Sequence, residues 1–474
     1  MRRPLQLLAG IVVLAAALRL WRLGHQSYWL DEAFTVNTVR RDFGGMLDGV
    51  RHTESTPPLY YTLAWVWERI FGAGEVGLRS LSAVIGIATV PVAYLAARAR
   101  VSERAALIAA ALFAVNPYLV WYSQEARAYA LLVLLCTASL LFFLRTEHEH
   151  SVKGTVPLTR RSLWLWALFS ALALLTHYFA AFLVVPEAAW LLWRHRSRAV
   201  GLAVAAPLAV GAALLPLAIA QRDAGHTLFI GDIPFGRRLV SIPKKVATGE
   251  LGTPTPAIGV LLGVVLVVGA ALALRHRAGL LLALAAAPVA IALVLKVAGL
   301  DYVFPRNLIE AFVPFLIAAA AGLAAIRAGP WLAAALAVAG AALVIQTSLN
   351  TSLQRDDWRG AARALVPATA VPRAIVVTPE VAKTPLRLYA GELPLVPPSG
   401  ARVREIDLLA NARPPRFAPS PPPPGFALTA RRRTESWQLV RYVARSARRL
   451  TVRDLQSLRL DRDSDPVLLL QRRG

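Results

Sequence analysis

Two adjacent carboxylates, Asp31 and Glu32, follow the first long apolar segment of the chain. Ionisable groups this close to lipid are costly and are usually kept for a function. A carboxylate at the boundary between water and lipid can take the proton of an acceptor hydroxyl while nearby cations neutralise an anionic leaving group. Both residues are therefore candidates for catalysis. The alternative is that they complement the dipole of a helix that begins beside them, which suits Glu32 better than Asp31.

A second group of polar side chains lies between two later apolar segments, in the run Tyr122-Ser123-Gln124-Glu125-Ala126-Arg127-Ala128-Tyr129. Arg127 suits a phosphate, and Glu125 suits a sugar hydroxyl or a salt bridge, so Glu125 joins the catalytic candidates. Tyr122, Gln124 and Tyr129 are candidates for substrate contacts. The alternative is an aromatic belt at the membrane interface, with an arginine and its glutamate partner.

Further candidates lie near the ends of apolar segments. Arg79, His177 and Arg306 are cations that suit the phosphate of a lipid, and His52, Tyr60 and Tyr61 suit substrate contacts. An arginine or histidine at the end of a span is also a common interfacial anchor, and that alternative stays open. The sequence shows no His/Cys/Asp cluster with metal-ligand spacing, no glycine-rich phosphate loop and no nucleophilic serine motif. Nothing visible would therefore bind a nucleotide or a metal.

The composition is that of a polytopic membrane protein, with 474 residues, 56% hydrophobic and only 17% charged. Apolar segments of about 17 to 25 residues qualify as membrane-spanning helices. The sequence predicts eleven of them, of which 179–194 is the shortest: 5–23, 79–98, 104–121, 129–145, 162–178, 179–194, 199–220, 255–274, 278–296, 306–326 and 330–348.

The segment 57–72 decides the topology, because counting it as a span would invert everything after it. It begins with Pro57-Pro58, ends near Glu68-Arg69 and is short, which is typical of an amphipathic helix at the membrane interface. With this segment outside, every loop assigned to the cytoplasm is basic, as the positive-inside rule requires. We therefore predict two juxtamembrane helices in the first outer loop. Asp31, 122–128, 221–253, 298–305 and the tail from 349 then share the outer side.

The tail differs in composition and is predicted to be a small extracytoplasmic α/β domain, 349–474, which follows a transmembrane domain, 1–348. Helices are expected at 357–365 and 385–390, strands at 374–377, 436–443 and 467–470, and a proline-rich linker at 414–424. The single cysteine, Cys136, lies in a predicted span, so no intrachain disulfide is expected. The net charge of +24 favours anionic membrane lipids as partners over nucleic acid, or else a solvated basic surface.

Five motifs taken together resemble the C-type integral-membrane glycosyltransferases. They are Asp31-Glu32, Thr56-Pro57-Pro58-Leu59-Tyr60-Tyr61, Arg79-Ser80-Leu81-Ser82-Ala83, Tyr122-Ser123-Gln124-Glu125-Ala126-Arg127 and Phe304-Pro305-Arg306-Asn307. Within that class the chain is most similar to a bacterial branch related to protein O-mannosyltransferases and to the aminoarabinose transferase that modifies lipid A. The resemblance covers residues 1–330. The tail's opening, Asp357-Trp358-Arg359-Gly360, recurs more loosely in bacterial members.

The resemblance implies a hexosyl- or pentosyltransferase of the plasma membrane that moves a sugar, with inversion, from a polyprenyl-phosphate donor to an acceptor hydroxyl on a glycolipid, glycan or protein. Asp31 matches the catalytic carboxylate of the class. A divalent metal is compatible with the superfamily, and no residue here demands one. Two departures argue against lipid A as acceptor: Thr56 replaces a phosphate-binding lysine of the aminoarabinose branch, and Tyr129 stands near the place of a second acidic residue.

Two other classes of protein compete with a transferase. A secondary transporter would place charges within its spans and often contain inverted repeats, whereas these ionisable residues gather at the outer ends. A non-catalytic membrane assembly protein for envelope glycans would use the tail as its interaction module. An Asp31→Asn substitution separates these classes, because only the transferase needs the carboxylate.

Overall fold

The computed structural model describes residues 2–153, 158–225, 229–276, 278–365, 372–411, 419–458, 460 and 464–471. The chain divides into two compact units. The first comprises Met1–Leu23 and Thr38–Leu353, and the second comprises Gly24–Asn37 and Gln354–Gly474. The second unit therefore includes a segment near the N-terminus that the sequence assigns to the transmembrane domain.

The part of the chain up to residue 353 is helical. Its α-helices are α1 (Arg2–Leu20), α2 (Leu30–Val39), α3 (Phe43–Thr53), α4 (Leu59–Phe71), α5 (Glu75–Arg98), α6 (Glu103–Val115), α7 (Pro117–Ser123), α8 (Tyr129–Lys153), α9 (Leu158–Thr176), α10 (Ala181–His195), α11 (Arg198–Asp223), α12 (Phe229–Asp232), α13 (Phe235–Thr248), α14 (Pro256–Ala273), α15 (Gly279–Val297), α16 (Phe312–Ala325) and α17 (Gly329–Leu349). Short 3-10 helices cover Tyr178–Ala180, Leu274–His276, Pro305–Ala311 and Thr351–Leu353.

The helices confirm the predicted membrane bundle, but fewer of them than eleven are clear spans. Within the described residues, eight helices are long and apolar enough to cross a membrane, and the bent pair α6–α7 would make nine. The helices α9 and α10 account for the difference. The apolar part of α9, Arg161–Thr176, and the 15 residues of α10 are both short for a span, and the 3-10 turn Tyr178–Ala180 separates them.

The first outer loop contains three helices, α2, α3 and α4, so the prediction of two was wrong. The extra break arises because the side chain of Asp42 accepts a hydrogen bond from the backbone N–H of Gly45, at 2.6 Å, and so starts α3 as a separate helix. The helix α4 confirms the short amphipathic helix. It is 13 residues long, and it buries Tyr60, Tyr61 and Ala64 on one face.

The predicted span 104–121 is bent by 56° between α6 and α7. Pro117 lacks an N–H, so the carbonyl of Phe113 loses its helical donor. The buried guanidinium of Arg19 replaces that donor, with nitrogen–oxygen distances of 2.9 Å to Phe113 and 2.7 Å to Ala114. Asn116 caps α7 by accepting hydrogen bonds from two backbone N–H groups, 3.0 Å away each. This bend sets the direction of the chain that leads to Arg127.

The second unit is an α/β fold, as predicted. It contains the helices α18 (Trp358–Leu365), α19 (Lys383–Ala390) and α20 (Val452–Gln456), a 3-10 turn at Glu380–Ala382, and the strands β1 (Arg373–Thr378), β2 (Ala401–Asn411), β3 (Phe426–Arg433), β4 (Trp437–Leu450) and β5 (Val467–Gln471). The sheet order is β3-β4-β2-β1-β5, and only β1 and β2 pair in parallel. Apolar side chains are buried on both faces.

The three predicted strands are confirmed as β1, β4 and β5, whereas β2 and β3 were missed. Both missed strands carry several charged residues, so their alternation is weak. Glu405 and Asp407 of β2 are buried because Arg373 and Arg441 on the neighbouring strands pair with them. Of the predicted linker 414–424, residues 414–418 lie outside the described residues.

Candidate active site

The two opening carboxylates lie in the first turn of α2, in the second unit. Asp31 is half-buried, and Glu32 is fully buried. Oε2 of Glu32 lies 3.4 Å from the backbone nitrogen of Trp29, which precedes the helix, and 3.9 Å from Nε of Arg355. A glutamate at the third helical position that accepts from the residue before the helix is one half of a capping box. Glu32 therefore has a structural role, while Asp31 keeps solvent access.

In the first unit, Arg127 forms a buried ion pair with Glu54. Nη1 of Arg127 lies 2.5 Å from Oε2 of Glu54, and the two side chains are 9% and 1% exposed. The hydroxyl of Tyr61 donates to the same carboxylate oxygen at 2.7 Å and lies 3.0 Å from the hydroxyl of Thr56. Burial raises the pKa of Tyr61 well above its ordinary value, so the phenol stays a hydrogen-bond donor. This network joins the loop before α4 to the loop after α7.

A cluster of aromatic side chains lies beside the ion pair of Glu54 and Arg127. The ring centroids of Tyr122 and Tyr129 are 4.6 Å apart, and those of Tyr129 and His177 are 5.6 Å apart. The hydroxyl of Tyr122 donates to Glu250 at 2.9 Å. Burial lowers the pKa of His177, and the positive charges of Arg127 and Arg306 lower it further. The structure thus gathers five of the sequence candidates, Arg127, Tyr122, Tyr129, His177 and Arg306, in one region of the first unit.

Two cations converge on the ring of Phe304. Cζ of Arg306 lies 5.5 Å from the ring centroid, and Nζ of Lys245 lies 5.4 Å from it. Lys245 belongs to α13 and also pairs with Glu250. Residues of α13, α14, α15 and the start of α16 line an apolar cavity of about 520 Å³. Val246 and Ala247 of its lining directly follow Lys245, and Ala311 ends the 3-10 helix that carries Arg306. The site therefore combines positive charge with an adjoining apolar space.

The remaining candidates have clear structural contacts. Arg79, 1% exposed, donates to the backbone oxygen of Leu23 at 3.1 Å. Gln124 donates to three backbone oxygens at the end of α1, which are those of Leu18, Arg19 and Trp21. The hydroxyl of Tyr60 lies 3.2 Å from that of Ser82. These three residues hold the outer ends of α1, α4 and α5 together.

Two candidates differ in exposure. Glu125 is 1% exposed and accepts a backbone hydrogen bond from Arg127 through its own carbonyl, at 2.8 Å. His52 is exposed on α3, where Nδ1 lies 3.0 Å from the carboxylate of Asp48. Glu125 is thus part of the turn that presents Arg127, whereas His52 lies on the surface of the first outer loop.

Three residues near the site were missed as candidates: Glu54, Lys245 and Glu250. Glu54 stands between the candidate His52 and the motif that begins at Thr56, and a buried arginine would need such an acidic partner. Lys245 and Glu250 lie in the long outer segment 221–253, where two basic pairs and a glutamate were the available signal. Within the described residues, no group of three or more His, Cys, Asp or Glu side chains could hold a metal ion.

A salt bridge joins α13 to the segment between α15 and the 3-10 helix Pro305–Ala311. Arg238 of α13 binds both carboxylate oxygens of Asp301, each at 2.8 Å, and Lys296 lies 2.6 Å from the same carboxylate. The hydrogen bonds from Arg238 hold the pKa of Asp301 well below its ordinary value of 3.8. Because the folded-state pKa is lowered, the pair stabilises the fold above about pH 4 and loses that effect as the pH falls further.

Replacing Asp301 by asparagine should therefore lower the free energy of unfolding at pH 7 by about 2 kcal/mol, because a charge-assisted hydrogen bond is lost. The difference from the wild type should shrink as the pH falls from 5 towards 2. Thermal unfolding in detergent across that pH range measures it. Asp48→Asn is the matched control, since that carboxylate is 63% exposed and should have little effect. A constant difference at all pH values would contradict the assignment.

Sequence and structure comparisons agree with this architecture. Residues 55–220 match a family model described as dolichyl-phosphate-mannose-protein mannosyltransferase. A search of curated protein sequences found no match. The chain is similar to the oligosaccharyltransferase AglB from Archaeoglobus fulgidus, in complex with an inhibitory peptide and a dolichol-phosphate. The identity is 13%, with 86% of this chain and 69% of that chain covered and a TM-score of 0.52.

Two further solved structures are similar. ArnT from Cupriavidus metallidurans, in the apo state, has 14% identity over 91% of this chain and 97% of that chain, with a TM-score of 0.43. The Saccharomyces cerevisiae protein O-mannosyltransferase Pmt1-Pmt2 complex, bound to the sugar donor, has 20% identity and a TM-score of 0.37. This chain covers 34% of that chain, with 48% of its own length. The chain thus spans about a third of the length of the yeast protein.

The fold is that of a multi-pass membrane protein with a small C-terminal sheet domain. The family match covers residues 55–220, about a third of the chain, and the likeness to AglB is a likeness of fold.

Proposed function

We propose that this protein transfers a sugar from a polyprenyl-phosphate donor to an acceptor hydroxyl on the outer face of the membrane, with inversion at the anomeric carbon. The match of residues 55–220 to a mannosyltransferase family model supports the general reaction. Two lines of support come from the site itself: a place for an amphiphilic anion in the first unit, and an accessible carboxylate in the second.

The observation that carries the proposal is the juxtaposition of cations and an apolar cavity. A polyprenyl phosphate has an anionic head on a long apolar chain. Arg306 and Lys245 both lie within 5.5 Å of the ring centroid of Phe304. The cavity of about 520 Å³ is lined by Val246 and Ala247, which follow Lys245, and by Ala311, at the end of the 3-10 helix that carries Arg306. Pockets of this size suit apolar ligands with a few polar anchors. We assign the phosphate to these cations, with Arg127 in support, and the first isoprene units to the cavity.

The chemistry needs a base and a stabilised leaving group. In a single displacement, a bond forms between the acceptor oxygen and the anomeric carbon as the bond to the phosphate oxygen breaks. The acceptor's proton goes to a carboxylate oxygen of Asp31. The lipid phosphate leaves with an additional negative charge, which the cations neutralise. Tyr122, Tyr129 and His177 offer aromatic faces to the sugar ring. No step requires a metal or a nucleotide.

The proposed biological setting rests on the same resemblance. We infer that the protein is a plasma-membrane enzyme of a bacterium, with the C-terminal domain outside the cytoplasm and membrane lipids in contact with the bundle. The acceptor is a glycolipid, glycan or protein hydroxyl, and the donor is a hexosyl or pentosyl lipid.

Cells that lack the protein should accumulate the lipid-linked sugar that it consumes. Extracted polyprenyl phosphates, analysed by mass spectrometry, should show a sugar-bearing species that rises several-fold, and its mass identifies the sugar. Wild-type protein should clear the species, and the Asp31→Asn variant, expressed to the same level, should not. Unchanged lipid-linked sugars in the deletion strain would contradict the function, and clearance by both proteins would contradict the role of Asp31.

A further inference from the structure

The segment that carries Asp31 belongs to the same compact unit as the C-terminal domain. The segment, Gly24–Asn37, is separated from its partners by more than three hundred residues of sequence. Hydrogen bonds that involve backbone groups join it to the rest of the unit, and such bonds are directional. The contacts of the C-terminal domain with this segment therefore point to a function of that domain.

Ser27 is the first anchor. It is 3% exposed, and its hydroxyl makes two hydrogen bonds to the stretch that leads into α18. The hydroxyl donates to the backbone oxygen of Asp356 at 2.8 Å, and it accepts from the backbone N–H of Trp358 at 3.0 Å. A side-chain oxygen that both donates and accepts in this way is held in one orientation. The backbone four residues before Asp31 is thereby fixed.

Tyr389 of α19 is the second anchor. Its hydroxyl accepts a hydrogen bond of 2.6 Å from the backbone N–H of Tyr28, a residue that is 2% exposed. The side-chain oxygen of Gln26 accepts from the backbone N–H of Arg355 at 2.8 Å, and Arg355 also lies 3.9 Å from the buried carboxylate of Glu32. Every contact named here lies within five residues of Asp31.

The motif Asp357-Trp358-Arg359-Gly360 is explained by the same arrangement. Asp357 accepts from the backbone N–H of Gly360 at 2.9 Å, and a Cβ on Gly360 would lie 2.0 Å from its carboxylate. The backbone N–H of Trp358 donates to the hydroxyl of Ser27. Arg359 donates to the backbone oxygen of Gly24 at 3.3 Å, and its Cζ lies 5.9 Å from the ring centroid of Tyr389. The motif thus both starts α18 and contacts the segment that carries Asp31.

We propose that the C-terminal domain positions the base of the transferase: Ser27 and Tyr389 are positioning residues that fix the start of α2 and so the carboxylate of Asp31. The inference rests on the proposed function, because it needs Asp31 to be the base. A misplacement of about 1 Å at a reacting group can reduce a rate about 100-fold, so loosening one anchor should be visible in turnover.

Two substitutions in the full-length protein test the proposal, Ser27→Ala and Tyr389→Phe. Each removes one hydroxyl and leaves the packing in place. The matched controls are Ser457→Ala and Tyr442→Phe, which remove the same groups elsewhere in the same unit; Ser457 donates to Asp454 and Tyr442 to Ser420. The probe is the lipid-linked sugar purified from cells that lack the protein. The readouts are kcat, the KM for that lipid, and hydrogen exchange of residues 24–37.

The positioning variants should lower kcat about tenfold, leave the KM for the lipid within about twofold, and speed amide exchange in residues 24–37 about tenfold. The controls should change none of these. If Asp31→Asn is inactive while the positioning variants behave like their controls, positioning is contradicted and the proposed function stands. If Asp31→Asn keeps its turnover, positioning and the role of Asp31 as the base are both contradicted, because there is then no base at this place to position. The transfer function itself is contradicted only if the deletion strain shows unchanged lipid-linked sugars.

Discussion

An Asp31→Asn variant is expected to lose about 1,000-fold in the rate of sugar transfer while it still binds the lipid donor. Asparagine keeps the shape of the side chain and removes its ability to accept a proton, and a positioned base typically contributes factors of 100 to 10,000. Asp31 is half-buried at the first turn of α2, so the change should not disturb the core. Single-turnover transfer from the purified lipid-linked sugar measures the rate, and binding of the same lipid measures the donor affinity.

Glu32→Gln is the matched control for that experiment. Glutamine retains a side-chain oxygen for the N–H of Trp29 but loses the charge that faces Arg355, so it should lower the melting temperature and change the rate by less than about tenfold. If the glutamine variant folded normally and lost as much rate as Asp31→Asn, Glu32 would be the base. If Asp31→Asn kept near-wild-type turnover, the assignment of Asp31 as the base would be wrong.

Local sequence signals were sufficient for the helical bundle. Apolar runs located the helices, and loop charge kept 57–72 from being counted as a span, which α4 confirms with its 13 residues. Hydropathy could not show the bend at Asn116, because both halves of the span are apolar and the break comes from Pro117 and its cap. It also could not separate clear spans from the shorter α9 and α10.

Contacts between distant residues account for most of what the sequence did not predict. Glu54 was overlooked because nothing local marks it as the partner of Arg127, which is 73 residues away. The strand β2 was missed because its buried carboxylates are compensated by arginines on neighbouring strands, and β3 was missed because its three arginines weaken the alternation. The grouping of Gly24–Asn37 with the C-terminal domain likewise depends on hydrogen bonds that span more than three hundred residues.

The pair of Glu54 and Arg127 gives the second large prediction. Breaking a buried ion pair by removing one partner costs about 3 to 5 kcal/mol, since it leaves a buried charge without compensation. Glu54→Gln and Arg127→Gln should therefore each lower the free energy of unfolding by about that amount. The double variant has no buried charge left at this place, so it should regain more than half of the loss. Thermal or denaturant unfolding in detergent measures all three.

Transfer activity separates the structural role of Arg127 from its proposed role at the phosphate. If its charge stabilises the leaving group, the double variant should remain at least about 100-fold slower than the wild type although its stability has recovered. Arg98→Gln with Glu103→Gln is the matched control, a pair with side chains 51% and 38% exposed that should affect neither property much. Should the double variant recover turnover together with stability, Arg127 would act only as the buried partner of Glu54. The leaving phosphate would then be stabilised by Arg306 and Lys245 alone, because these are the other two cations assigned to it.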